Sequence, residues 1–161
     1  MQVVADEIRS LITWFEPKLR DLDREKVRIR NRGPEKWSKI ELLGHLVDSA
    51  CNNQQKFVRL MCQPKLDFVG YSQDDWVAAQ QYAKADWSQL IQLWAAYNSH
   101  IAFLIENVDE KLLSHEVHIE GTGPFKLGFI MPDYVEHLKH HLKQIFPDEN
   151  LGNEFENDYG A

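Results

Sequence analysis

Apolar residues recur every three or four positions in four long stretches of the chain, a period that belongs to helices rather than strands. Val4, Ile8, Leu11, Ile12, Phe15, Leu19 and Leu22 form the first stripe. It predicts an amphipathic helix over about residues 3–22. Pro17 is expected to kink or split it, because proline lacks an N–H and crowds the preceding turn. Residues 23–36 are charged and polar, with Gly33 and Pro34 as punctuation, and read as a connection. Ser38-Lys39-Ile40-Glu41 then matches a capping box, and Trp37 and Leu42 occupy the two positions of a hydrophobic staple around it. The second helix runs to about Met61, with Leu43, Val47, Ala50, Phe57 and Met61 as its core stripe and Pro64 just past its end.

Regularity weakens over residues 62–85, which predict a loop with a short helix at 73–82. Asp86 and Gln89 make a second box-like cap. Trp87, Leu90, Ile91, Trp94, Tyr97, Ile101, Leu104 and Ile105 follow at helical spacing to about residue 107. A short alternating run from His115 to Ile119, then Gly121-Thr122-Gly123-Pro124, fits a hairpin or an extended loop. The last helix starts between Leu127 and Asp133, with Pro132 at a tolerated early position, and stops before Pro147. Four long helices predict an all-α four-helix bundle, with a short extended segment or hairpin before the last helix. Its domain covers residues 1–147, and the acidic tail 148–161 is expected to fray.

Composition narrows the function classes. A chain of 161 residues with 43% hydrophobic content supports one core. Its 18 basic and 25 acidic residues leave a net charge of −7, which repels phosphate backbones, so no nucleic-acid partner is expected. No apolar run approaches the roughly 18 residues of a membrane helix, so no membrane partner is expected either. The N-terminus lacks the basic start and unbroken apolar core of a signal peptide, which predicts a cytoplasmic protein. Cys51 and Cys62 stand eleven residues apart in one predicted helix, roughly 16 Å along its axis and too far for a disulfide. Both are expected as small buried residues in a reducing compartment.

Histidines carry the candidate chemistry. His137 and His141, four apart, share one helix face and can reach one metal ion, although an isolated HxxxH pair is more often solvated. Val135, Leu138, Leu142 and Ile145 mark the apolar stripe; the pair lies at its border, and His140 sits further round toward solvent. A ligand set using His140 with His137 remains open. Catalytic zinc takes three protein ligands and keeps a position open. His45 is the third candidate, with Glu41, Asp48, Ser49 and Asn52 as helical neighbours. Gly44 beside it costs a helix about 1 kcal/mol relative to alanine. Such a broken local rule marks a site or a close approach, and a packing glycine accounts for it equally well. His100, His115 and His118 read as surface or packing residues. Trp76, next to the Tyr71 loop, is a candidate for a pocket mouth.

These segments resemble the DinB-like family, the fold shared with bacillithiol S-transferases and mycothiol-dependent maleylpyruvate isomerases. Trp37-Ser38 through Gly44-His45 to Asp48-Ser49 in one helix is answered by Asp133-Tyr134, His137 and His140-His141 near the end. The paired motifs, in this order and separation, span about residues 5–146. The resemblance implies an up-down-down-up four-helix bundle with one divalent ion, zinc or nickel, in a cleft between helices. One histidine of the second helix and two of the last would hold it, at the positions of His45, His137 and His141. A homodimer is implied too.

The expected function is therefore metal-dependent chemistry on a small-molecule substrate. Thiol transfer to an electrophile is preferred on family grounds, with a low-molecular-weight thiol as co-substrate; metal-assisted hydrolysis is the other route. A metal lowers the pKa of a bound water toward ~7, or holds a thiol as thiolate. Asp48 is expected to orient His45 or take a proton, and Asn52 to orient substrate or water. Glu41 is expected to be spent on the cap. The alternative is a non-catalytic metal-binding helical module that acts as a dimer in a stress response.

Overall fold

The computed structural model describes residues 1–151; most of the acidic tail lies outside them. Five α-helices are present: α1 (Gln2–Asp21), α2 (Lys39–Cys62), α3 (Gln73–Ala79), α4 (Trp87–Glu106) and α5 (Leu127–Ile145). The four long ones form the predicted bundle. Both α1 and α2 pack against α4 and against α5, so α1 and α2, consecutive long helices in the chain, sit across the bundle from each other. None of the described helices is long and apolar enough to cross a membrane.

Proline corrects one expectation. Pro17 does not split α1, which continues to Asp21. The proline forfeits one backbone bond, while buried Phe15 and Leu19 on either side hold the helix in the core. α5 begins at Leu127, within the range expected, and carries Pro132 in its second turn. Cysteine corrects a second. Both thiols are free, but Cys62 is exposed at the end of α2 and Cys51 is only half-buried.

The start of α2 is the best-anchored helix end. Glu41 accepts from the Ser38 backbone N–H at 2.8 Å and the Ser38 side chain accepts from the Glu41 backbone N–H, as the box predicts; the Ser38 hydroxyl also donates to the carboxylate at 2.7 Å. The Arg30 guanidinium closes on the same carboxylate. Burial alone would raise the pKa of Glu41; the Arg30 and Ser38 hydrogen bonds outweigh it and hold the group below the usual carboxylate range. Every residue from Ile40 to Ala50 is buried, so the first three turns of α2 form the centre of the molecule.

A three-stranded sheet covers one end of the pocket described below. β1 (Lys65–Phe68) pairs parallel with β2 (Glu116–Ile119), and β2 pairs antiparallel with β3 (Thr122–Lys126). Leu66 faces Val117 in register, and both are buried. The hairpin is one of the two options the sequence left open. Its two-residue turn places Glu120 and Gly121 at positive φ, 50° and 80°, as tight hairpins require. Strand β1 was not expected.

Candidate metal centre

Helices α2 and α5 bring three histidines together. His45, His137 and His141 each offer a ring nitrogen, and these lie within 4.8 Å of one another. The Nε2 atoms of His45 and His137 face each other at 3.3 Å. Two imidazole nitrogens bound to one tetrahedral zinc would be roughly 3.3 Å apart, so this spacing fits a shared ion. His141 completes the group, its ring centroid 4.6 Å from each of the other two. His45 is fully buried and His141 nearly so. His45 Nδ1 and His141 Nδ1 are buried without a hydrogen-bond partner among the described residues.

Burial keeps these rings neutral. It pushes His45 down to about 4. It pushes His141, with the neighbouring histidines adding to it, down to about 3, and His137 well below its ordinary value. A neutral imidazole is the form that binds a metal, so the donor set is ready at neutral pH. Imidazole donors suit zinc, nickel, copper and iron. The residues present therefore fit a divalent ion. His140 is not part of the cluster; its Nε2 lies 2.8 Å from the Gln144 amide.

A second layer orients the first. Ser49 Oγ lies 3.2 Å from His137 Nδ1, and Asn53 Nδ2 donates to Ser49 Oγ at 3.3 Å. An ion held at His137 Nε2 would leave that ring's proton on Nδ1, within reach of the serine oxygen. Replacing Ser49 by alanine is expected to weaken metal binding about ten- to a hundredfold, read by competition with a chromophoric chelator. Trp37, expected as half of a hydrophobic staple, lies with its ring 4.8 Å from that of His45 and 6.5 Å from that of His141.

Asp48 departs from its expected role. No hydrogen bond joins it to His45. Its Oδ1 accepts from Tyr82 Oη at 2.7 Å and from Gln80 Nε2, and its Oδ2 is buried without a partner among the described residues. Gly44 explains the arrangement. It lies one turn before Asp48 on the same face, and a Cβ there would overlap the Tyr82 ring. The glycine thus serves a close approach: it lets the tyrosine lie flat on α2 and reach the carboxylate.

The cluster opens into a pocket of about 380 Å³. His137, His140 and His141 line it from α5; Ser49, Asn52, Asn53 and Lys56 line it from α2; Tyr71 closes it from the loop ahead of α3 and Gln73 from the first turn of α3. Asn52 borders it as expected, with its amide also donating to the Asp48 carbonyl. Trp76 does not line it but packs on Tyr71, ring centroids 4.5 Å apart. Sequence reasoning missed Lys56 and the work of Ser49. The signal was present, since residues 45, 49, 52, 53 and 56 fall on one helical stripe.

A family model, the DinB superfamily, matches residues 12–145. The chain belongs to the DinB superfamily. Among solved structures, this DinB-superfamily bundle is similar to YfiT from Bacillus subtilis, described as "a probable metal-dependent hydrolase with an unusual four-helix bundle topology". The match has a TM-score of 0.75 and 17% sequence identity, and it covers 89% of this chain and 84% of that one. At that identity the likeness shows the shared fold alone. No curated protein matches the chain.

Proposed function

We propose that this DinB-superfamily protein is a metal-dependent enzyme acting on small molecules, with His45, His137 and His141 as the ligands. One observation carries it: three neutral histidines converge within 4.8 Å, and two of them, His137 and His141, border a pocket of about 380 Å³. A pocket of that size takes a small organic molecule. A divalent ion there, zinc or nickel on the family resemblance, would supply Lewis acidity to an oxygen or sulfur ligand at neutral pH. The chain's own residues do the rest. Ser49 fixes His137, Trp37 shields the His45 and His141 rings, and Asn52 and Tyr71 line the space where substrate is oriented. Asp48 holds Tyr82 in place.

Thiol transfer to an electrophile is the reaction we favour, on the resemblance to bacillithiol S-transferases. Hydrolysis is the second reading, favoured by the fold shared with YfiT and by the description that protein carries. All three histidines come from one chain, so the centre needs no second copy.

The test uses tag-free protein loaded with zinc or nickel. One panel pairs small thiols with electrophiles and follows thiol loss; another offers esters, amides and phosphoesters and follows proton release. Turnover in one panel, reduced to background by His137→Ala, is the expected result. An ion that raises the melting temperature while neither panel is turned over would instead make the protein a non-catalytic metal-binding module.

A further inference from the structure

Lys56 is a cation inside the pocket with no ion-pair partner among the described residues. It makes no hydrogen bond or ion pair among the described residues. Its Nζ lies 5.7 Å from the centre of the Phe68 ring, a contact that only partly replaces lost hydration. Burial pushes its pKa down to about 8, and the charge of Asp133 works against that shift. By contrast, half-buried Lys139 is paired with Glu7 and Glu136. An unpaired, partly desolvated ammonium costs stability unless something supplies the missing charge.

We infer that the pocket takes a small molecule carrying a carboxylate or similar anionic group, which pairs with Lys56 at the end remote from the three histidines. Lys56 stands seven residues beyond Ser49 on α2, about 10 Å along the axis. A ligand with its reacting atom beside His137 and its anion at Lys56 is therefore roughly six to eight heavy atoms long. Asn52 and Asn53 border the space between. Lys56 is in this sense a specificity residue. The inference rests on the proposed function only for what happens at the histidine end.

Dissociation constants would be measured by NMR titration of labelled protein, metal-free and zinc-loaded. The probes are two matched pairs: hexanoate with hexanamide, and 6-mercaptohexanoate with 6-mercaptohexanamide. The wild type should bind each acid about ten- to a hundredfold more tightly than its amide, the range of one charge-assisted contact. Lys56→Gln should erase that preference and Lys56→Arg should retain it. Equal affinity for acid and amide in the wild type, an acid preference that survives in Lys56→Gln, or no binding of any probe would overturn the assignment. If zinc gives the thiols no advantage over their non-thiol partners while the acid preference persists, the metal reading fails and the role of Lys56 stands.

Discussion

Alanine at His45 or at His141 is expected to strip the protein of its ion. Wild-type protein should hold about one divalent ion per chain, and each variant much less than that after dialysis. The size follows from the free energy of three- and four-ligand zinc sites, roughly 10–16 kcal/mol. Divided among the ligands, that is several kcal/mol each, or a hundred- to a thousandfold and more in affinity. His140→Ala is the internal control: His140 stands outside the cluster with its nitrogen at Gln144, so this variant should keep its ion. Elemental analysis beside a chelator competition reads all three. Equal metal content in wild type and His45→Ala would show that the histidines meet through packing alone.

Acid should unfold the metal-free protein well before it unfolds an ordinary bundle. His45 and His141 have folded-state pKa values of about 4 and about 3, against about 6.5 when unfolded. Between those limits the unfolded chain binds more protons than the folded one, so stability falls as pH falls. It is fully present above pH 6.5 and is lost on the way down through pH 4 and 3. At pH 5 each histidine costs about 2 kcal/mol, ~4 kcal/mol for the pair, a large share of a typical domain stability of about 5–15 kcal/mol. Urea unfolding at pH 7 and pH 5 measures it, and His45→Ala should shrink the difference by about 2 kcal/mol. A wild-type difference below about 1 kcal/mol would mean that the histidines are not buried in solution as they are here. Zinc should raise the melting temperature at pH 7 and do so progressively less in acid, since protons compete for the same nitrogens.

Features written locally were legible in the sequence. The box at Ser38 and Glu41 and the cap at Asp86 are contacts over three residues, and both helix starts lie where they predict. The apolar stripes located all four long helices, because each must bury one face. The histidine motifs pointed to the cluster that the fold assembles. Strand β1 was illegible for the opposite reason: four residues with no strong pattern pair with β2 some fifty positions later. The hairpin turn uses Glu120-Gly121, without the asparagine or aspartate that usually announces such a turn. Gly44 was visible as an anomaly in α2, but Tyr82, which explains it, lies 38 residues away.

Sequence by itself therefore determined the helices, their caps, the family and the three candidate ligands, because periodicity, capping and paired motifs are properties of short segments. Tertiary structure decided what those residues face. It turned Asp48 away from His45 and onto Tyr82, set Ser49 behind His137, and left Lys56 in the pocket without an ion-pair partner among the described residues. Each of these depends on which side chains converge from distant helices, and on how much water that convergence removes. Neither is encoded in the spacing of any one segment.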